Sequence, residues 1–315
     1  MVKDFSVTLP FDTGEQQLPT PQAQCLLFVS FDISGNTAYK QTNPSTQDGG
    51  WYQDVSKIFD DLIAKLAAAE ANFQFWKFLG DELILKISVQ TLPDVSSALE
   101  SIDAILREIS LKIWHQTKQR LDMKATVWLA AIDDLLNKVF TIDIATLDKQ
   151  GKQESEQENI QDYVGASIDE GFRIAHAIAR SKRVAISFDI AYLFAKENLH
   201  DEFSRAYHVG FAELKGIWNQ KPYPAIWYST AFQQDNEETP YYHTNSAAES
   251  NHHCSFTERF STLPALDAAS ENAPAHIATL KTHLDNIYRH IPQAREHHDA
   301  LRSVLGLKAL PTIFP

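Results

Sequence analysis

The chain has 315 residues, enough for one large α/β domain with an appendage or for two small domains. Its hydrophobic share of 44% is ordinary for a globular protein, while a net charge of -13 excludes nucleic-acid polymers and anionic membranes as partners. A nucleotide ligand is not excluded, because bound divalent metals offset phosphate charge locally.

Cys25 and Cys254 stand far apart and form neither a disulfide framework nor a zinc pattern. No apolar run reaches membrane-spanning length and the N-terminus lacks a signal-peptide pattern, so the expected location is the cytoplasm.

Residues 1–22 are polar and carry Pro10, Pro19 and Pro21, the composition of an irregular arm. QCLLFVSFDIS then reads as a central strand ending near Asp32. Within 51–70, Val55, Ile58, Phe59, Leu62, Ile63 and Leu66 fall on one face of an amphipathic helix. NFQFWKFLGDELILKISV predicts two strands around a Gly80-Asp81 turn. A second long helix is expected from about 93 to 115, with Pro93 in its first turn.

ATVWLAAI is another strand, and the charged stretch 148–161 (DKQGKQESEQENIQ) predicts a solvated loop. A helix through IDEGFRIAHAIAR, a strand RVAIS, a short helix FDIAYLFAKE and a strand pair, YHVGFAEL and PAIWYST, complete this unit. The order implies an α+β sheet covered by helices rather than a uniformly alternating doubly wound fold.

The composition changes after Thr230, so residues 231–315 are expected to form a polar linker and a helical C-terminal appendage. Ile277, Leu280, Leu284, Ile287 and Tyr288 would share one helix face there. His252 and His253 beside Cys254 lack a second ligand pair and read as linker residues rather than a zinc site.

Five local features carry chemistry. Phe31-Asp32-Ile33-Ser34-Gly35-Asn36-Thr37 ends a strand on an aspartate and enters a small-residue turn that can face a polyphosphate. Lys77-Phe78-Leu79-Gly80-Asp81 sets a second carboxylate on a tight hairpin, and two such carboxylates can hold a pair of divalent ions. In DYVGASIDEGFR, Asp162 precedes a helix on which Asp169 and Arg173 stand four apart, hence on the same face. Lys124 opens a strand and Lys215 sits in a Leu-Lys-Gly turn.

Together these resemble the class III adenylate/guanylate cyclase homology domain, over residues 26–229. The family motif D-I-x-G-F-T stands here as DISGNT, K-x-x-G-D as KFLGD, and D-(Y/W)-x-G-x-x-V-N-x-A-x-R as DYVGASIDEGFR. The resemblance implies a mixed, mainly antiparallel sheet and a catalytic domain over residues 23–230.

It also implies site roles. Asp32 and Asp81, with the Ile33 carbonyl, would bind two divalent ions, Mn2+ or Mg2+. Lys77 and Asp162 would read the base. Arg173 would stabilise the transition state, and Lys124 and Lys215 would bind phosphates. Asp169 stands where the family has a ribose-orienting asparagine. Each site would be shared between two protomers, so a homodimer is implied.

Lys77 as donor and Asp162 as acceptor fit adenine, cytosine or uracil. The stand-alone layout, Glu82 after the GD turn and the IDEGFR variant resemble the pyrimidine cyclases of bacterial Pycsar anti-phage defence. UTP, cyclised to cyclic 3′,5′-UMP, is therefore the expected substrate, with CTP or ATP as alternatives. Tyr39, Phe75 and Trp76 are the aromatic residues expected to narrow the base pocket. The rival from another class is a cyclase-like scaffold that binds nucleotide without turnover.

Overall fold

The computed structural model describes residues 23–44, 50–133, 136–147, 153–230 and 273–311. The N-terminal arm and most of the polar linker, with His252, His253 and Cys254, lie outside the described residues. The elements follow in chain order: β1 (Gln24–Ser34), α1 (Asn36–Thr42), α2 (Trp51–Ala68), β2 (Gln74–Leu79), β3 (Glu82–Val89), α3 (Leu92–Gln116) and β4 (Asp122–Ile132). Then come β5 (Asn137–Leu147), β6 (Gln153–Gly165), α4 (Ala166–Ala177), β7 (Val184–Ile186), α5 (Phe188–Lys196), α6 (His200–Ser204), β8 (Ala206–Glu213) and β9 (Pro222–Tyr228). Two C-terminal helices, α7 (Ala273–His290) and α8 (Pro292–Val304), follow.

Strand β1 organises the sheet. Its pleat sends Leu27, Val29, Phe31 and Ile33 into the main core, and Leu26 and Phe28 into a smaller cluster on the opposite face. Ser30 and Asp32 continue the row of Leu26 and Phe28 by the same alternation. The order β2-β3-β1-β4-β7-β9-β8 is mixed and mainly antiparallel, β4 with β7 being the parallel pair among the described strands.

Helices α2 and α3 cover the main core, burying Ile58 and Leu62 from one and Leu99, Ile102 and Leu106 from the other. A capping box starts α3. The Asp94 carboxylate accepts the Gln90 and Thr91 amides at 2.9 and 2.8 Å, which holds its carboxyl below the usual range. On the other face Phe28 stands 5.0 Å from Trp76, 5.5 Å from Trp128 and 5.3 Å from Tyr163, ring centre to ring centre. Helix α4 lies against Trp128 through Gly171, where a Cβ would meet the indole at 2.2 Å.

Two sequence expectations need correction. The stretch 148–161 is not a loop throughout. Residues 148–152 are outside the described set, but β6 begins at Gln153 and pairs antiparallel with β5 in a separate two-stranded ribbon. Backbone pairing with β5, which the sequence reading had not recognised as a strand, supplies the hydrogen bonds that charged side chains do not forbid.

The C-terminal segment also carries two helices rather than one. Leu280, Leu284 and Ile287 of α7 join Ile291 and, on α8, Ala294 and Leu301 in the main core. No helix among the described residues is long and apolar enough to cross a membrane.

The three-residue β7 pairs with Ala125–Val127 alone, while β4 runs on to Ile132, and α8 contacts β4, β1 and α5. At the start of β4, burial pushes the Asp122 carboxyl up to about 6, against the opposing pull of Lys182 at 3.5 Å. The native state thus holds this proton more tightly than the unfolded chain. The associated stability is fully present below about 3.8 and lost as pH rises through about 6.

Two outcomes follow. Gly171→Ala should lower stability by about 1–3 kcal/mol through overpacking against Trp128, with partial recovery on adding Trp128→Phe; denaturant melts of the three variants check this. The stability of Asp122→Asn relative to the parent should climb between pH 4 and pH 6 and level off above, by about 3 kcal/mol at most. Thermal melts across that range measure it, and a difference independent of pH would rule it out.

Candidate active site

Cross-strand register assembles the first half of the site. Asp32 lies directly opposite Glu82 on β3 and Lys124 on β4. Lys124 Nζ sits 2.9 Å from Asp32 Oδ2 and also donates to the Ala175 carbonyl of α4 at 3.3 Å. Ser30, one pleat earlier on β1, donates a short hydrogen bond to Glu82.

The hairpin turn brings in Asp81. Gly80 takes φ +70°, the glycine-first form of a two-residue hairpin loop. The Asp81 carbonyl accepts the Ile33 amide at 3.4 Å, tying the turn to the end of β1. The Asp81 carboxylate accepts from Asn36 Nδ2 at 2.6 Å, and Asn36 is buried at the start of α1. Gly35 makes that approach possible: its φ is +85°, and a Cβ would meet the Arg120 carbonyl oxygen at 2.6 Å.

The electrostatics are those of crowded carboxylates. Burial raises the Asp32 carboxyl, Lys124 opposes the shift, and the Asp81 charge adds to it. Burial likewise raises Glu82; Ser30 opposes this, and the charges of Asp32 and Asp81 reinforce it. Three carboxylates face one ammonium, so with all ionised the cluster carries two excess negative charges. That donor set, hard oxygens with surplus negative charge, fits Mg2+ or Mn2+.

A second group forms around Lys77. Its Nζ lies 2.7 Å from Asp162 Oδ1, 4.1 Å from the centre of the Trp76 ring and 5.7 Å from that of Phe172. Asp162 Oδ1 also accepts the Tyr163 amide at 2.9 Å, and Lys86 donates to the Tyr163 hydroxyl.

Asp32, Ile33, Asp81 and Lys124 are thus brought together, and Lys77 with Asp162. Asp169 and Arg173 are exposed on α4 and make no ion pair or hydrogen bond among the described residues. Lys215 is exposed beyond β8, at the sheet edge separated from β1 by β4, β7 and β9.

Of the three aromatic residues expected near the base, Trp76 lies under Lys77 and Phe75 is exposed on β2. Tyr39 is misplaced in that expectation. It belongs to the main core, its hydroxyl donating to Asp54 at 2.6 Å, because α1 turns it toward α2. Sequence reasoning assigned no role to Ser30, Asn36 or Glu82. The polar residue at position 36, where the resembled motif has an aromatic, and the carboxylate after the GD turn were the available signals.

No family model and no curated protein matches the sequence. Solved structures to which the chain is similar include the adenylyl cyclase CyaB from P. aeruginosa, at 11% identity and a TM-score of 0.47, covering 66% of this chain and 94% of that one. The guanylyl cyclase Cya2 is similar at 18% identity and a TM-score of 0.44, covering 66% and 93%. An adenylate/guanylate cyclase/hydrolase from Silicibacter pomeroyi is similar at 14% identity and a TM-score of 0.41, covering 66% and 98%.

Asn36 gives a test of the first cluster. Removing the hydrogen bond that orients Asp81, by Asn36→Leu, should weaken Mn2+ binding by about 10- to 100-fold. The loss of free Mn2+ signal in an EPR titration reads this directly, and unchanged affinity would remove Asn36 from the site.

Proposed function

We propose that this chain is a nucleotidyl cyclase that converts UTP to cyclic 3′,5′-UMP and pyrophosphate, as a cytoplasmic homodimer with two divalent ions, Mn2+ or Mg2+, at each site. The observation that carries the reading is the grouping of Asp32, Asp81 and Glu82 about a single Lys124 at the end of β1. Asp32, Asp81 and the Ile33 carbonyl would hold the ions. When bound, such ions supply positive charge and acidify a ligated hydroxyl.

The chain's own residues bind and orient. Lys77 donates to uracil O4 and Asp162 accepts from N3–H, the pair being preset at 2.7 Å. Asp169 accepts from a ribose hydroxyl. The 3′-oxygen forms its bond to the α-phosphorus as the bond to the bridging oxygen breaks; the hydroxyl proton passes to solvent and pyrophosphate departs. Arg173 offers a fixed fork of donors to the charge developing around phosphorus, and Lys124 and Lys215 offset the phosphates.

Trp76 and Phe172 flank the Lys77 ammonium and hold it toward the base. Support for sites shared between two copies comes from the exposed Arg173, unpaired among the described residues, and from Lys215 lying four strands from Asp32. Phe75, Phe78 and Leu79 on edge strand β2 are large, apolar and exposed, as a surface covered by a second copy would be. A role in anti-phage defence rests on the motif resemblance.

Purified protein incubated with Mn2+ and each of the four nucleoside triphosphates should release pyrophosphate and a cyclic monophosphate from UTP. Product from CTP or ATP alone would replace the base assignment. No product from any, with nucleotide still bound, would leave the non-catalytic scaffold. Arg173→Ala should reduce kcat by about 100- to 1,000-fold. Co-expressed Asp81→Ala and Arg173→Ala chains should regain about one quarter of parental activity, since half of randomly mixed dimers hold one intact site. Activity no higher than that of either variant alone would exclude shared sites.

A further inference from the structure

Away from Asp32, three segments distant in sequence bring ligating side chains to one buried point. Glu170 of α4, Asp189 in the first turn of α5 and His297 of α8 each offer an atom within 4.8 Å of the others, and all three are buried. Glu170 Oε1 is held by the Tyr223 hydroxyl, which donates at 2.6 Å while accepting the Phe188 amide at 2.7 Å. Asp189 Oδ1 lies 3.3 Å from Nδ1 of His298, which is fully buried. Each carboxylate therefore has one oxygen fixed by a neighbour.

His297 supplies the unpartnered nitrogen of the cluster. Its Nδ1 is buried, stands 3.8 Å from Glu170 Oε2 and has no hydrogen-bond partner. The nearest acceptor to that nitrogen, Glu170 Oε2, lies beyond hydrogen-bond reach, and Nε2 of the neighbouring His298 is likewise buried and unpartnered. His297 Nδ1 thus offers a donor atom directed into the cluster. Among the described residues no lysine or arginine pairs with either carboxylate. With both carboxylates ionised, one divalent ion would offset the two charges at once.

We infer that Glu170, Asp189 and His297 bind a divalent transition-metal ion that staples α8 to α4 and α5. One imidazole and two carboxylates suit Zn2+ or Mn2+ rather than Ca2+, which prefers more oxygen donors. Tyr223 and His298 are the outer partners that orient the two carboxylates. The ion is structural: it fixes the helix on which Glu170 follows Asp169 and lies one turn before Arg173. The inference stands independently of the cyclase reading, since it uses none of the residues assigned to substrate or to the first metal cluster.

The test uses the full chain carrying Asp32→Asn and Asp81→Asn, which removes the first cluster's main ligands. Stripped with chelator, reloaded with Zn2+ or Mn2+ and desalted, this protein should retain about one ion per chain by elemental analysis. Loading should raise Tm by about 5 °C. Adding His297→Ala should abolish both retention and the Tm rise. Should that variant fail to fold, Glu170→Gln, which preserves shape, should lower retention instead. X-ray absorption at the zinc edge of the loaded protein should show nitrogen and oxygen neighbours with the signature of one imidazole. Absence of retained metal together with an unchanged Tm would overturn the site. Loss of cyclase activity in the same protein reports on Asp32 and Asp81 alone, so the two readings fail separately.

Discussion

The pleat of β1 is the constraint on which the rest of the molecule depends. A period of two residues assigns Leu27, Val29, Phe31 and Ile33 to the main core, and Leu26, Phe28, Ser30 and Asp32 to the other face. A one-residue slip would bury Asp32 under α2 and α3 and expose Phe31. The apolar burial that stabilises the sheet therefore also fixes where the carboxylate points. Register against β3 and β4 then delivers Glu82 and Lys124 without any loop having to find them.

Two clusters of buried and half-buried polar groups join segments far apart in sequence. Near β1, Asn36 links α1 to the hairpin turn through Asp81, and Lys124 links Asp32 to the last turn of α4. Around Glu170, the hydroxyl of Tyr223 and the rings of His297 and His298 tie β9 and α8 to the carboxylates of α4 and α5. Each such group loses solvation on folding and regains it only if every partner arrives, which makes these points exacting about geometry. Helix α4 takes part in both, so its placement is set from two sides.

Much of this was legible in the sequence where apolar period and glycine chemistry agree. β1, the hairpin at Gly80 and the inward faces of α2 and α3 follow from spacing alone, as does the proximity of Asp32 and Asp81 once the strands pair. The β5–β6 ribbon was not legible, because QESEQENIQ has no alternation and a single β-branched residue, Ile160, to betray a strand. Helix α8 was missed for a related reason. Its buried side includes His297, His298 and Arg302, residues that pattern reading assigns to solvent. The pairing of Lys77 with Asp162 requires β6 to stand beside β2, a tertiary fact that no local pattern encodes.

The short parallel contact between β4 and β7 bears on the order in which the protein can be made. Three residues of β7 leave the far half of β4 paired with β1 alone, and a helix more than 150 residues later packs against β4. During synthesis, the contacts of β4 with α8 stay unmade until residues 292–304 have emerged. Contacts so distant along the chain are slow to form, and an exposed strand edge held for that time invites pairing with other chains. A cell producing this protein quickly would thus gain more from chaperones that shield nascent sheets than from any change in the stability of the finished fold.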